Sequence, residues 1–253
     1  MTHFKNAFIT GASSGIGQAM ALELSRRGTR VVLAARRLDR LQGLARTIRA
    51  AGGEAEICEL DVTDSKAVFG SIAHWDESVG GLDLVIANAG VGSVGPASKL
   101  AWGDVQDVVQ VNFVGAIATL LAGKDVMISR GKGTLVGVSS LAGVRAMPES
   151  GAYSATKAGL QNFLETLELD LRHLGLRVVD IQPGFVRSEM TEDIEFKMPF
   201  FMEVDDCAVR CIDGIEAGRS VISFPWQLAW PLRMFGRIVP RAFWRVLARG
   251  MKP

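Results

Sequence analysis

The chain has 253 residues, a length that suits one large α/β domain or two small ones. Hydrophobic residues make up 48% of it, ample for a buried core, and a formal net charge of +1 gives the whole molecule no electrostatic pull on nucleic acid. Three cysteines, Cys58, Cys207 and Cys211, are odd in number and widely split, so reduced thiols in a reducing, cytoplasmic setting are expected. His3, His74 and His173 are scattered, fit no zinc pattern, and lead us to expect no metal. Met1 to Asn6 is polar and precedes only a short apolar run, unlike a secretory signal. Phe113 to Gly123, the nearest approach to an uncharged membrane span, stops at Lys124, so a soluble protein, or one lying on a membrane surface, is expected.

In chain order, Ala7-Phe8-Ile9 reads as a strand, followed by a glycine cluster and a helix with Ile16, Met20 and Leu24 on one stripe. Arg30 to Ala35 is a second strand, and Leu38, Leu41, Leu44, Ala45 and Ile48 then recur at helical spacing. Glu54 to Leu60, Leu82 to Ala87, Gly133 to Ser139, Arg177 to Gln182 and Ser220 to Phe224 supply further strands, with helical stretches between most of them. Strands apolar on both faces and separated by helices predict a doubly wound parallel sheet of Rossmann type, an α/β fold in three layers. The glycine pairs Gly52-Gly53 and Gly80-Gly81 read as helix-to-strand turns rather than linkers. With no repeat or boundary in view, residues 1–253 are expected to form one dinucleotide-binding catalytic domain, with about 217–253 as its basic, aromatic extension.

The junction after the first strand reads Thr10-Gly11-Ala12-Ser13-Ser14-Gly15-Ile16-Gly17. Glycines there permit a tight turn and close approach of backbone to a pyrophosphate, and the following helix offers free N–H groups and its positive end to phosphate. Gly-x3-Gly-x-Gly departs from the commoner Gly-x-Gly-x-x-Gly, but its place between strand and helix predicts a dinucleotide site. An acid closing the second strand would favour NAD through the ribose hydroxyls. This chain has Ala35-Arg36-Arg37 instead, so Arg36 is expected to receive a 2′-phosphate, and NADPH is expected over NADH.

Tyr153 is the chain's one tyrosine, and Lys157 follows at helical spacing. A nearby ammonium stabilises phenolate and draws its pKa toward the working range, which would make the phenol a general acid/base. Val138-Ser139-Ser140 closes a predicted strand, on the side of such a sheet where ligands bind. Adjacent strand residues point to opposite faces, so only one of the two serines can face that pocket.

Together, Thr10 to Gly17, Asn88-Ala89-Gly90, Asn112, Ser140, Tyr153-x-x-x-Lys157 and Pro183-Gly184 resemble the short-chain dehydrogenase/reductase family, over Ala7 to about Met190. The resemblance implies that Tyr153 exchanges a proton with the substrate oxygen and that Lys157 tunes it and binds the nicotinamide ribose. It implies that Ser140 binds the carbonyl or hydroxyl and that Asn112 positions a water in a proton relay. Gly11, Ser13, Ser14, Gly15, Ile16 and Gly17 would cradle the phosphates, and Asp61 and Val62 would touch the adenine. Asn88, Ala89 and Gly90 would lie beside the cofactor, while Pro183, Gly184, Val186 and Ser188 would flank the nicotinamide. Ala87 and Ser188 depart from the family's frequent Asn and Thr. A homodimer or homotetramer is implied by the same resemblance.

Phe196, Met198, Phe200, Phe201 and Met202 suggest either an apolar lid over the substrate or an ordinary packing helix, and favour an apolar carbonyl or alcohol substrate. From Ala217 onward there are seven basic residues and no acid, with Trp226, Trp230, Phe235, Phe243 and Trp244 among them. Such a segment suits an anionic membrane interface, a second subunit or the parent domain. Two other functions share the fold. A catalytically silent NADP(H)-sensing protein would have no need of Ser140, Tyr153 and Lys157. A nucleotide-sugar epimerase or dehydratase would need more chain after the sixth strand.

Overall fold

The computed structural model describes residues 3–92, 95–191, 200–236, 238–240, 242 and 244. Seven strands form one parallel sheet: β1 Asn6–Thr10, β2 Arg30–Ala35, β3 Ala55–Glu59, β4 Leu84–Ala87, β5 Gly133–Val138, β6 Leu176–Pro183 and β7 Val221–Phe224. Its order is β3-β2-β1-β4-β5-β6-β7, each neighbouring pair parallel. Helices α1 Gly15–Arg26, α2 Leu38–Ala50, α3 Ser65–Ser78, α4 Trp102–Val109 and α5 Ala116–Ile128 lie in the first half. Helices α6 Leu141–Val144, α7 Gly151–Leu171, α8 Val204–Glu216 and α9 Trp226–Phe235 follow. The expected doubly wound, three-layer α/β fold is present, and every expected strand lies within two residues of its observed bounds at either end.

Two apolar cores sit on opposite faces of the sheet. Met20, Leu24, Leu41, Ile48, Cys207 and Ile212 fill one beside Ile9 and Leu33; Val68, Ile72, Leu120, Leu160 and Leu164 fill the other beside Phe8 and Val85. The alternation of Phe8 and Ile9 between the two is the two-residue period of a strand covered on both sides. Leu38, expected on the buried stripe of α2, stands exposed at the helix start. The three cysteines are buried free thiols.

Helical backbone runs unbroken from Trp102 to Ile128, with a wide π turn at Gln110–Gly115 between α4 and α5. By length and composition alone this run could cross a membrane, which the expectation of no span had not foreseen; half of its most apolar stretch is buried inside the domain, as in a core helix. The tail behaves differently. In α9 only Ala229 is buried, and Trp226, Trp230 and Met234, spaced four apart, share an outer face that is 72%, 59% and 52% exposed. Beyond α9, Trp244 Nε1 donates to the Ala146 carbonyl at 3.1 Å, and Arg145 caps its ring at 5.3 Å. Phe243 and the basic residues Arg237, Arg241, Arg245, Arg249 and Lys252 lie outside the described residues.

Candidate active site

The expected site residues gather where the carboxyl ends of the strands meet α1 and α7. β1 lies between β2 and β4, so the chain reverses its order there and leaves a crevice between the two halves of the sheet. Gly11 (φ 68°) and Gly15 (φ 55°) adopt left-handed backbone, which a side chain would strain. A Cβ on Gly11 would stand 2.7 Å from Ala89 Cα, and one on Gly17 would stand 2.4 Å from both the Gly11 carbonyl oxygen and Asn88 Nδ2. The turn is therefore pressed against the segment after β4. Asn88 seals it by donating to the Thr10 and Gly11 carbonyls at 3.0 and 3.3 Å, while Thr10 Oγ1 accepts from the Asn88 and Ala89 amides. The Asn88 side chain thus holds the cradle itself.

A cavity of ≈ 410 Å³ opens beside this turn, lined by Ser13, Ser14, Arg36, Arg37, Asp61, Val62, Ala89, Gly90, Glu189 and Met190 among others. Asp61 is fixed by Thr63, whose amide and hydroxyl both donate to Oδ1, and these bonds hold its carboxyl below the ordinary carboxylate range. Arg36, the expected phosphate ligand, lines this cavity with a guanidinium nitrogen 3.8 Å from Asp61. Its neighbour Arg37, which sequence reasoning passed over, turns into the cradle. It donates from Nε to Ser13 Oγ at 3.1 Å, from a terminal nitrogen to Ser14 Oγ at 2.5 Å and from the other to Glu189 at 2.9 Å. Arg40 shares the same Glu189 carboxylate. Both arginines of the basic strand end thus line the cavity.

Ser140, Tyr153 and Lys157 come together as expected, with Ser140 as the serine facing Tyr153. Ser140 follows β5 and caps α6, its hydroxyl accepting from the Ala142 amide at 3.1 Å. Tyr153 and Lys157 share a face in the first two turns of α7, the ammonium 5.6 Å from the centre of the phenol ring. Lys157 is 4% exposed and donates to the Val138 carbonyl at 2.8 Å. Gly90 keeps the neighbouring backbone close, since a Cβ there would lie 3.7 Å from Lys157 Nζ. Asn112, fully buried in the wide turn, pairs with the Val91 backbone: Oδ1 accepts from the amide at 2.7 Å and Nδ2 donates to the carbonyl at 2.9 Å. Pro183 ends β6, the Gly184 amide donates to the Phe224 carbonyl at 2.7 Å, and Val186 is a core residue bridged to Met202. Ser188 lies against the cradle, its Cβ 3.4 Å from where a Cβ on Gly15 would be.

One electrostatic expectation is corrected. Burial pushes the Tyr153 phenol above its ordinary value, and the opposing hydrogen bond from Ser140 does not reverse it. The same burial brings the Lys157 ammonium down to about 8, against the attraction of Asp180.

Sequence reasoning also missed the polar net behind these groups. Ser139, pointing away from Ser140, donates to buried Asp180 at 2.5 Å, and Gln182 donates to the same carboxylate at 2.6 Å. Gln161 donates to Ser139 Oγ and to the Ser140 carbonyl at 2.7 Å, tying α7 to the end of β5. Burial raises the Asp180 carboxyl, while the hydrogen bonds and the charges of Arg233 and Lys157 oppose that rise. Of this net, Gln161 holds the Ser140 backbone and the Asp180 charge acts on Lys157.

A glycine turn that a side chain would fill, an adjoining cavity at the sheet's reversal point and a Ser-Tyr-Lys cluster whose lysine lies beside the lining residue Gly90 define a dinucleotide-binding oxidoreductase site. The short chain dehydrogenase family model matches residues 5–198. An uncharacterized oxidoreductase of Myxococcus xanthus is 47% identical over 249 residues, 98% of each chain. An alcohol dehydrogenase of Thermococcus sibiricus, solved with 5-hydroxy-NADP, is 29% identical with a TM-score of 0.78, over 87% of this chain and 94% of that one. A short-chain dehydrogenase/reductase of Burkholderia phymatum, solved with NAD, is 25% identical with a TM-score of 0.85, over 94% and 95%. The chain belongs to the short-chain dehydrogenase/reductase family, and it is an NAD(P)-dependent oxidoreductase.

Proposed function

We propose that this enzyme uses NADP(H) to interconvert an apolar ketone or aldehyde and its alcohol, with Tyr153 as the general acid/base. The observation that carries this reading is the Ser140–Tyr153–Lys157 cluster, with Lys157 beside the cavity residue Gly90 and no acid closing β2. The residues present fit a dinucleotide. Gly11 and Gly17 leave open the space a Cβ would fill, and the first turn of α1 offers its amides to the pyrophosphate. Arg37, with Arg36 and Arg40 beside it, supplies guanidinium groups for a 2′-phosphate. Asp61 and Val62 line the adenine end, and Pro183, Gly184, Val186 and Ser188 the nicotinamide end.

The nicotinamide, when bound, supplies or takes up the hydride. In the reductive direction Tyr153 Oη gives its proton to the carbonyl oxygen, and Ser140 Oγ donates a hydrogen bond to that oxygen. The Lys157 ammonium, held by Val138, stabilises the phenolate that forms and takes the ribose hydroxyls. Asn112 acts in the relay by fixing Val91 and the wide turn. After β6, Met202 pairs with Val186 and packs on the core while Phe201 lies under Arg187, and an apolar substrate is proposed from the apolar character of this segment; Phe196 and Met198 lie outside the described residues.

The same proposal treats the chain as one cytoplasmic catalytic domain assembling as a homodimer or homotetramer. The outer face of α9 is its candidate contact with an anionic membrane surface or a second subunit. A panel of apolar ketones, aldehydes and secondary alcohols with NADP(H) tests the activity. Tyr153→Phe is expected to lower kcat by about 100- to 10,000-fold, the range for losing a general acid/base. Full turnover in that variant on a substrate the wild type accepts would contradict the assignment, and binding without turnover by the wild type would favour the sensor reading.

A further inference from the structure

Glu189 stands in the 3₁₀ turn after β6, 152 residues from Arg37 along the chain, yet its carboxylate meets Arg37 at 2.9 Å and is bonded to Arg40 as well. With Asp61 it supplies the acidic lining of the cavity that Ser13 and Ser14 also line. Arg37 is anchored by those two serines, so the carboxylate occupies the one terminal nitrogen left to it. A carboxylate and a phosphate make the same forked contact with guanidinium, and the phosphate brings more charge and a third oxygen. The three side chains are each between 41% and 46% exposed, so the ion pair is solvent-screened and held weakly enough to exchange.

We propose that Glu189 is a cofactor-selectivity residue, an internal stand-in for the 2′-phosphate on Arg37 and Arg40. The inference rests on the NADP(H) reading for its ligand, but concerns a residue that reading does not use. A cofactor bearing the 2′-phosphate takes the two guanidiniums and releases Glu189. A cofactor without it leaves the carboxylate in place and gains nothing from the arginines. The stand-in lowers affinity for the phosphorylated cofactor, and it keeps the basic strand end neutralised when no cofactor is bound.

The test is the dissociation constant of NADPH and of NADH, measured on the full-length wild type, Glu189→Gln and Arg40→Ala. Removing the Glu189 charge is expected to tighten NADPH by about fivefold, the upper end for a half-exposed ion pair, and to leave NADH within about twofold. Arg40→Ala is expected to weaken NADPH and spare NADH. Weaker NADPH in Glu189→Gln would mean that the ion pair closes over bound cofactor, and equal tightening of both would mean a steric strap; either overturns the proposal. The ratio of the two constants decides the role of Glu189 whichever cofactor the wild type prefers, so this outcome and that of the NADP(H) reading are read separately.

Discussion

The cofactor cradle and the C-terminal helix α9 are built by opposite means. In the cradle each residue has one position it can occupy: Gly17 lies where any Cβ would strike Gly11 and Asn88, and Gly11 holds a left-handed backbone against Ala89. In α9 the large side chains Trp226, Trp230 and Met234 face outward and meet little of the parent domain. A region whose geometry admits a single solution writes its purpose into residue types at fixed spacing. A region whose large side chains face outward carries only a general signal in its sequence, here apolar and basic.

That contrast predicts unequal responses to substitution. The largest effect belongs to the cradle. Gly17→Val forces a side chain into backbone, and overpacking of this kind costs about 1–3 kcal/mol of stability. Because the displaced groups form the phosphate turn, NADPH binding should fall below detection in calorimetry while the far-UV circular dichroism stays native. Retained binding would show that the turn has slack the packing does not suggest.

An intermediate effect is expected at Lys157. Its folded pKa, about 8, lies below the ordinary 10.5 of a free lysine. Between those values the unfolded chain binds more protons than the folded one, so this group makes stability rise as pH rises through the window. Urea titrations of the protein alone at pH 8 and pH 10 should show that rise in the wild type, relative to Lys157→Met, which removes it. The raised phenol of Tyr153 works in the reverse sense only near and above pH 10. A pH dependence identical in the two proteins would mean the ammonium is less desolvated than its surroundings indicate.

The smallest effect on catalysis belongs to α9. Trp226→Ser with Trp230→Ser should leave turnover of a water-soluble substrate within about twofold, since surface changes away from packed features are near neutral. Flotation with anionic vesicles should be lost in that variant if a membrane is the partner, and sedimentation should shift to a smaller species if a second subunit is. A tenfold fall in turnover would assign α9 to the active-site wall instead of a contact surface.

How much of this was legible in the sequence follows the same division. Strands covered on both faces were visible as continuous apolar runs, because a parallel sheet has no polar face to interrupt them. The Gly11–Gly17 turn, Ser140, Tyr153 and Lys157 were visible because their spacing is local. The contacts of Arg37 with Ser13, Ser14 and Glu189 were not, since they join residues far apart in the chain. Glu189 and Asp180 were not visible either: each meets partners from distant elements, and isolated acids carry no periodic signal. The Tyr153 shift was misjudged for a related reason. Spacing reveals the lysine, but desolvation is a property of everything packed around the ring.

The central claim, that the cradle and its basic rim take NADP(H), is tested most directly by titrating the full-length protein with NADPH and with NADH. Energy transfer from tryptophan to the reduced nicotinamide reports the binding. The account predicts tighter binding of NADPH, weakened by about tenfold or more when Arg37 becomes alanine, the loss expected for a charge-assisted contact. Preference for NADH, or indifference to Arg37, would contradict the phosphate assignment; binding of neither would contradict the cradle itself.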